Sequence, residues 1–490
     1  MKQERLIEYL KEVAKLNYLV TVLRWEMDTQ APKKSFDYLI DVSTKYELES
    51  FNMITSPEYI KLIEDLINSD EFNNLSREEQ IYINDLKDDY YKFKRVPSDF
   101  YEEFCKLKNN SLNTWVDAKE NNDYESFKPY LKQVIEYTKK YYRYIYPDAE
   151  NLYDCMLNDY EKGIKSEFID KLFEELKVEL IPIVKQLKEK EVKKVKNVLD
   201  DSKFIEFARF LLNYIGFDNT RGALGIYTHG YTTKFNRNDE RITFSNRDNP
   251  LDSISTIVHE GGHGIFDQNV GDNLAKYEMY DVNKYALHES QSRFFENILG
   301  RRKSFFIPIY DEIKKFLNID LDLDDFVLCF NNAKASLVRT EADELTYCLH
   351  IIIRYEIEKE LFNGNVDLDK LPEIWNNKYQ EYLGISSPDY SHGILQDMHW
   401  SDASFGYFPS YLLGSIFDGM LIETINEKVG DIDLLLSNGR IKEITEFLNE
   451  NIHKYGGAYN INEVSNRVCN KDLEVKPLIN YFKGKYSNKK

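Results

Sequence analysis

The first 215 residues of this 490-residue chain contain a single glycine, Gly163. Glycine weakens helix interiors and permits the tight turns that end helices, so its scarcity favours long, uninterrupted helices. Apolar side chains in the same stretch recur at spacings that place them on one face of a helix. Near the N-terminus these side chains are Leu6, Leu10, Val13, Val20 and Leu23. We therefore predict a mainly α fold.

Nothing in the sequence argues for separate domains. The chain has no internal repeat, no Pro- or Ser-rich linker and no low-complexity block. We predict one domain over residues 1–490, with a helical half at about 1–215 and a second half at about 216–490 whose composition differs.

The composition changes near Gly216. Between Ile226 and Phe244, β-forming residues alternate with other residues around a turn-rich segment, which predicts a hairpin or short sheet. Helical spacing returns after it, and Asp252 or Ser253 is the predicted N-cap. The remainder of the chain again indicates helices.

The charge and the cysteines exclude several classes of protein. A formal net charge of -20 repels phosphate backbones and anionic lipid surfaces, so we predict neither nucleic acid nor membrane as a partner. The chain has no run of about 18 apolar residues, which a membrane span needs. Its first residues lack the apolar stretch of a signal peptide. Five widely spaced cysteines favour a reduced, cytoplasmic protein.

The pentapeptide His259-Glu260-Gly261-Gly262-His263 is the strongest chemical signal in the chain. Residues four apart share a helical face, so both imidazoles can bind one zinc ion while Glu260 reaches the attacking water as general base. The alternative is a fortuitous pair of surface histidines. Each glycine inside a helix costs about 1 kcal/mol relative to alanine. We expect close approach of another backbone at Gly261 and Gly262 as the compensation.

A catalytic zinc site needs a third protein ligand. Residues 285–299 offer Glu289 and Glu296, which share one predicted helical face with Arg293. Spacing leaves open which glutamate is the ligand, and the other would pair with Arg293. The alternative is that both glutamates are surface salt-bridge partners.

Two further segments are candidates for a site. Residues 393–411 combine glycine, acidic, histidine and tyrosine residues, as site loops do, although aromatic-rich loops also occur in ordinary packing. Residues 338–344, on their own, indicate a charged helix face. The candidate side chains are Gln396, Asp397, His399, Tyr407 and Tyr411 in the first segment and Arg339 in the second.

Taken in order, these segments resemble the motifs of the carboxypeptidase Taq family of zinc metallocarboxypeptidases. The resemblance covers essentially the whole chain, and Leu23-Arg24-Trp25-Glu26-Met27-Asp28 matches a further motif imperfectly. The motifs that match are Asp239-Glu240-Arg241-Ile242-Thr243, the pentapeptide from His259 to His263, His288-Glu289-Ser290-Gln291-Ser292-Arg293, Val338-Arg339 through Ala342-Asp343, and Gly393 through Trp400.

The resemblance implies a large helical domain with a deep central cleft and a small sheet or hairpin beside the metal-binding helix. It implies one zinc ion per chain, held by His259, His263 and Glu289. Because two nitrogen ligands and one oxygen ligand do not single out zinc, we expect that Co²⁺ or Mn²⁺ can substitute. Glu296 is then a neighbour rather than a ligand. The resemblance also implies a homodimer.

The implied reaction is the release of C-terminal amino acids from peptides that have a free C-terminus. Glu260 acts as general base, and His399 stabilises the oxyanion together with Tyr407 or Tyr411. Because an exopeptidase needs a cation for the terminal carboxylate, Arg339 or Arg241 is expected to supply it, and the sequence does not rank the two. The further substrate-binding residues that we predict are His229, Gln396 and Asp397.

The chain departs from the family pattern at one place before the Asp-x-Arg-x-Thr motif. The family has His-Pro-Phe where this chain has His229-Gly230-Tyr231, which affects the predicted outer substrate subsites rather than the metal. Two other functions stay open from the sequence. One is a helical zinc oligopeptidase or endopeptidase, which would cleave peptides with blocked C-termini. The other is a non-catalytic helical scaffold, which would bind no stoichiometric metal.

Overall fold

Helices dominate the computed structural model, as the sequence predicts. The structure describes residues 1–187, 190–193, 195, 199–227, 230–246, 249–278, 284–364 and 366–487. The helices of the N-terminal half are α1 (Lys2–Thr29), α2 (Phe36–Ile54), α3 (Pro57–Ile67), α4 (Asp70–Asn73), α5 (Arg77–Lys94), α6 (Ser98–Glu120), α7 (Tyr124–Ile145), α8 (Leu152–Tyr160), α9 (Ser166–Val184) and α10 (Asp201–Ile215).

Local side-chain chemistry explains where several of these helices begin and end. At the start of α5 the Ser76 hydroxyl accepts a hydrogen bond from the Glu79 main-chain N–H, and the Glu79 carboxylate accepts one from the Ser76 N–H. Gly216 caps the C-terminus of α10, and its φ of 103° lies in the left-handed region that favours glycine. A short 3₁₀ turn, Asn219–Arg221, follows, and the sheet begins at Gly222.

Three strands form one small sheet: β1 (Gly222–Ile226), β2 (Tyr231–Asn236) and β3 (Asp239–Phe244). β3 lies in the middle, antiparallel to β2 and parallel to β1. The predicted hairpin is therefore β2–β3, and β1 is an additional strand. Thr232 lies opposite Ile242 and Thr233 lies opposite Arg241. Because side chains alternate along a strand, Thr232 and Arg241 lie on opposite faces of the sheet.

The second half of the chain returns to helices, as predicted. A π-helix, Phe294–Leu299, continues directly from α13. The α-helices are α11 (Pro250–Gln268), α12 (Asp272–Ala275), α13 (Tyr285–Arg293), α14 (Lys303–Phe306), α15 (Tyr310–Leu317), α16 (Leu323–Phe330), α17 (Glu344–Asn363), α18 (Leu371–Tyr382), α19 (Phe408–Lys428), α20 (Ile432–Ser437), α21 (Ile441–Asn451), α22 (Ile461–Cys469) and α23 (Lys476–Tyr486).

Helix α11 begins earlier than the sequence predicts. Its N-cap is Asn249, whose side chain accepts a hydrogen bond from the Leu251 main-chain N–H at 3.2 Å. The prediction of Asp252 or Ser253 as N-cap was therefore wrong. Pro250 occupies the first helical position, where its fixed φ suits the helix and its missing N–H has no helical partner to lose.

The two glycines of the pentapeptide allow close packing around α11. A Cβ at Gly262 would lie 2.7 Å from the main-chain oxygen of Gln291 in α13, which is the expected approach of another backbone. A Cβ at Gly261 would instead meet side chains, with Leu212 and Ile215 of α10 both 2.6 Å away. The expectation was thus correct at Gly262 and wrong at Gly261, where side chains rather than a backbone fill the space.

Among the helices that the structure describes, none is both long and apolar enough to cross a membrane.

Candidate metal centre

Three side chains from two helices meet at one point. His259 and His263 lie one turn apart on α11, and Glu289 lies on α13. Nε2 of His263 is 3.5 Å from Oε2 of Glu289, and Nε2 of His259 is 4.0 Å from the same oxygen. All three ligand atoms lie within 4.8 Å of one another. We call His259, His263 and Glu289 the donor cluster. Their side chains are between 12% and 21% exposed, so solvent reaches them.

Glu296 contacts Nδ1 of His259, the ring nitrogen that does not face Glu289. Its Oε2 lies 2.9 Å from Nδ1 of His259, an arrangement that turns Nε2 of the ring towards Glu289. The side chains of Glu289 and Glu296 are only 12% and 17% exposed, so the alternative of two surface salt-bridge partners was wrong. Nη2 of Arg301 lies 3.9 Å from Oε1 of Glu296, while Arg293 approaches Glu289. The prediction that Glu289, Arg293 and Glu296 share one face assumed α-helical winding. From Phe294 the chain winds as a π-helix instead.

The electrostatics of the donor cluster suit a cation. Burial and the neighbouring His288 lower the pKa of His263 to about 4, so its ring is neutral, the form that binds metal. Burial alone raises the pKa of Glu289, but the His263 contact and nearby positive charge outweigh it and hold that pKa at about 2. Burial lowers the pKa of His259, but Glu296 and Glu289 outweigh it and raise that pKa to about 9. The surroundings of His259 thus favour positive charge.

The residues present fit a divalent metal. The donor cluster offers two imidazole nitrogens and one carboxylate oxygen, a set used by catalytic zinc sites that keep one position open. The Glu296 contact to the other ring nitrogen of His259 is the kind of support that fixes a metal-binding imidazole in orientation. This donor set does not by itself distinguish zinc from cobalt or manganese.

Glu260 points from α11 towards the sheet. The hydroxyl of Thr232 lies 2.8 Å from Oε2 of Glu260 and 2.9 Å from its main-chain oxygen. Glu260 is 7% exposed, and burial raises the pKa of its carboxyl. A raised pKa makes the carboxylate a stronger base, and Thr232 fixes its orientation.

The predicted aromatic segment forms a compact cluster beside α19. The ring of His399 lies 5.5 Å from that of Tyr407 and 6.3 Å from that of Tyr411, and the two tyrosine rings are 5.0 Å apart. Burial raises the pKa of both tyrosines, so both are neutral phenols that can donate a hydrogen bond. Burial and the charge of Arg339 lower the pKa of His399 to about 3, so this ring is neutral as well.

Arg339 is buried against this aromatic cluster. Its guanidinium carbon lies 5.3 Å from the ring centre of Tyr411. Its Nε donates to Asp397 at 2.9 Å, and its Nη1 donates to the Tyr347 hydroxyl at 3.0 Å. The predicted charged helix face was wrong here, because residues 339–341 form a short 3₁₀ turn before α17 and Arg339 is 7% exposed.

Asp397 and Gln396 hold two arginines in place. Oδ2 of Asp397 accepts a hydrogen bond from Arg354 at 2.6 Å, while its Oδ1 accepts from Arg339. Oε1 of Gln396 accepts from Nη2 of Arg354 at 2.7 Å and from the main-chain N–H of Arg339 at 2.9 Å. Two guanidinium groups share one carboxylate, so this group of residues carries excess positive charge. Direct substrate contact by Gln396 or Asp397 stays a prediction.

Arg241 lies on the face of the sheet that is turned away from α11. Its Nε and Nη2 both donate to Asp239 at 2.9 Å, so the two side chains form a bidentate pair without net charge. The guanidinium carbon lies 3.9 Å above the ring of Phe235 and 5.9 Å from that of Trp25 in α1. The imperfect N-terminal motif, which contains Trp25, therefore packs on this outer face.

Comparison with known proteins identifies the family of this chain. A model of the carboxypeptidase Taq (M32) metallopeptidase family matches residues 5–486. The chain belongs to this family. Carboxypeptidase 1 of Bacillus subtilis is 35% identical over 495 residues, which cover 99% of this chain and 98% of that protein. Thermostable carboxypeptidase 1 of Thermus thermophilus is 27% identical over 500 residues, with the same coverage of 99% and 98%.

The fold agrees with the family as well. The solved structure of Pyrococcus furiosus carboxypeptidase matches this one with a TM-score of 0.92 at 27% identity, over 99% of both chains. As a member of the carboxypeptidase Taq family, the chain is a metallocarboxypeptidase, a hydrolase whose substrates are peptides. The alternative of a non-catalytic scaffold is therefore wrong.

The departure from the M32 pattern at Gly230 has a steric reason. A Cβ at Gly230 would lie 2.2 Å from Cγ2 of Thr256 in α11, a distance that no side chain tolerates. Thr256 thus fills the space that a proline of the family pattern would need. His229, the neighbouring predicted substrate-binding residue, lies outside the described residues, and its role stays a prediction.

Two residues that support the predicted site of this M32 carboxypeptidase were not predicted from the sequence. Thr232 contacts Glu260. A single polar residue in a strand does not indicate which side chain it will contact, so this contact could not be predicted. Glu358 is fully buried and accepts hydrogen bonds from Nε1 of Trp400 and the hydroxyl of Tyr153, both at 2.8 Å, and from the Gly406 N–H at 2.9 Å. No local pattern singles out Glu358, because Glu356, Lys359 and Glu360 surround it in α17.

Proposed function

We propose that this metallocarboxypeptidase releases C-terminal amino acids with one zinc ion held by His259, His263 and Glu289. The observation that carries the proposal is the buried Glu260 carboxylate, which Thr232 holds beside the donor cluster on the same helix as two of its members. When bound, zinc supplies Lewis acidity and lowers the pKa of a water to around 7. Co²⁺ or Mn²⁺ is expected to substitute.

Glu260 is the proposed general base. Its carboxylate receives the proton of the attacking water and then gives that proton to the leaving amine. Burial raises its pKa, which brings its basicity closer to neutral pH, where proton transfer in both directions is efficient. The Thr232 hydroxyl keeps one carboxylate oxygen engaged and leaves the other for the water.

His399 with Tyr407 or Tyr411 is the proposed source of oxyanion donors. Both tyrosines are neutral phenols and His399 is a neutral imidazole, so each can donate one hydrogen bond to the developing negative charge. Their ring centres lie within 6.3 Å of one another, so we expect that more than one of them can reach a single substrate oxygen.

Arg339 is the proposed anchor for the substrate's terminal carboxylate. Arg339 and Arg354 share one carboxylate, Asp397, so a second carboxylate from the substrate would balance the remaining charge. Arg339 is the more exposed of the two, at 7% against 0%. The competing candidate, Arg241, is already neutralised by Asp239 on the other face of the sheet.

Metal content measured beside activity tests the proposed ligands and base together. His259→Ala, His263→Ala and Glu289→Ala should each lose zinc and activity while the protein stays folded. Glu260→Gln is nearly isosteric and should keep zinc and substrate affinity while kcat falls at least about a hundredfold. Full zinc in Glu289→Ala with loss of zinc in Glu296→Ala would show that the third ligand is misassigned. Near-normal turnover by Glu260→Gln would remove it from the mechanism.

The homodimer and the cytoplasmic location stay predictions. The five cysteines are free thiols, which is compatible with a reducing compartment.

A further inference from the structure

Glu161 lies where α13, which carries Glu289, meets the start of α19, which carries Tyr411. It is 1% exposed and directly follows α8. Its Oε1 accepts a hydrogen bond from the main-chain N–H of Ala286 at 2.5 Å and another from the hydroxyl of Ser410 at 2.9 Å. Its backbone also forms an antiparallel bridge with Lys284, the residue that precedes α13.

Both hydrogen-bond partners lie in the first turn of a helix. Ala286 is one turn before Glu289 in α13, and Ser410 lies in α19 between Tyr407 and Tyr411. The first turns of helices carry unpaired N–H groups and partial positive charge, both of which favour a carboxylate. One carboxylate oxygen therefore joins the start of α13, which carries Glu289, to the start of α19, where Tyr407 is the N-cap and Tyr411 lies in the first turn.

Other contacts between α13 and α19 are also close, and one of them is a hydrogen bond. A Cβ at Gly414 would lie 2.7 Å from the main-chain oxygen of Ala286, so the two helices touch at backbone distance. Further along, the Ser290 hydroxyl donates to Asp418 at 2.6 Å. These contacts hold α13 and α19 together along their lengths, and Glu161 links the ends of the two helices that lie near Glu289, Tyr407 and Tyr411.

We propose that Glu161 is a positioning residue for the hydrolysis, because it sets the placement of the Tyr407 and Tyr411 hydroxyls relative to Glu289. The inference rests on the proposed oxyanion role of these tyrosines. Glu161 does not touch the reacting atoms, and it acts through Ala286 and Ser410. Its loss should therefore lower kcat more than it changes KM, since oxyanion contacts form in the transition state.

The second carboxylate oxygen provides a conservative variant. Oε2 is buried and has no hydrogen-bond partner among the residues that the structure describes. Glu161→Gln can therefore keep Oε1 as the shared acceptor and place its amide nitrogen where Oε2 lies, whereas Glu161→Ala removes the acceptor. Thr445→Val is the matched control, because it removes a buried hydroxyl that donates to the main-chain oxygen of Ile215 at 3.0 Å, between α21 and α10.

Hydrogen exchange and steady-state kinetics on the zinc-loaded full chain test the proposal. Glu161→Ala should speed exchange in peptides that cover residues 285–289 and 408–412 and lower kcat at least about tenfold, with zinc content kept and KM within about twofold. Glu161→Gln should restore kcat to within about threefold of the unmodified enzyme. Thr445→Val should change neither those peptides nor kcat. Unchanged exchange in Glu161→Ala, or a kcat equal to that of the control, would overturn the proposal.

Double variants separate this inference from the proposed function. The kcat loss caused by Glu161→Ala should shrink when Tyr407→Phe or Tyr411→Phe is already present, because coupled residues do not act additively. Losses that add fully with both tyrosine variants would overturn the positioning role. Unmodified kcat in both single tyrosine variants would refute the oxyanion assignment itself, and would overturn the role of Glu161 in hydrolysis even if exchange at the two first turns had increased.

Discussion

Thr232 is the side chain on which the orientation of the proposed base depends. Thr232→Val keeps the shape of the side chain but removes the hydroxyl that contacts Glu260 at 2.8 Å. We expect kcat to fall about tenfold with zinc content unchanged, because the carboxylate loses its fixed orientation. Thr232→Ser retains a hydroxyl and should keep most of the activity. Equal kcat values for the valine and serine variants on a free-acid peptide would contradict the orienting role.

A second prediction at the scale of single residues concerns Arg339 and Arg241, the two candidate anchors for the substrate carboxylate. Arg339→Met should cost about 2–5 kcal/mol in kcat/KM for a free-acid peptide, because the substrate carboxylate is left buried without a cation. Arg241→Met should cost much less, since its guanidinium is already paired with Asp239. Measuring kcat/KM for both variants on one peptide decides between them, and a larger loss for Arg241→Met would reverse the assignment.

Single residues differed in how far the sequence could predict them. The pentapeptide and the family motifs singled out the members of the donor cluster, because metal-binding chemistry restricts both residue type and spacing. The face of the sheet on which Arg241 lies depends on the register between β2 and β3. The pairing of Arg354 with Asp397 depends on the packing of α17 against a distant loop. Such contacts join residues far apart in sequence, so no local pattern reports them.

At the scale of secondary-structure elements, the close contact between α11 and α13 makes a prediction about stability. Gly262→Ala would bring a methyl group within 2.7 Å of the Gln291 main-chain oxygen. We expect it to lower the free energy of unfolding by about 1–3 kcal/mol, because neither backbone can move away without disturbing the donor cluster.

Gly484→Ala is the matched control for that prediction. Gly484 lies within α23, and a Cβ there would meet nothing within 4 Å. Alanine is the better helix former, so this variant should raise the free energy of unfolding by up to about 1 kcal/mol. Denaturant unfolding of both variants measures the difference, and equal effects would show that the contact between α11 and α13 is not tight.

Element types were predicted more reliably than element boundaries. Helical spacing and scarce glycine indicated the long N-terminal helices, and alternation indicated the β2–β3 hairpin. The start of α11 at Pro250 and the π-helix after α13 were not predicted, because several polar residues compete as N-caps and because π-helical winding follows from packing. Glu296, which contacts Nδ1 of His259, lies within this π-helix.

At the scale of the whole molecule, the chain has a net charge of -20. The local charge is nevertheless positive where Arg339 and Arg354 share the single carboxylate of Asp397. A buried positive group in an acidic protein is unfavourable unless an anion compensates for it. A peptide's terminal carboxylate is such an anion, and an amidated peptide lacks it. The family shows that the chain is a metallocarboxypeptidase. The carboxylate anchor that we propose at Arg339 would explain why such an enzyme acts at chain ends.

One comparison tests the account most directly: digestion of a single peptide in its free-acid and C-terminally amidated forms by enzyme whose zinc content has been measured. With about one zinc per chain, the enzyme should release the C-terminal residue of the free acid and leave the amidated peptide essentially uncut. Cleavage of the amidated peptide at an equal rate and at an internal bond would contradict the account and identify an oligopeptidase.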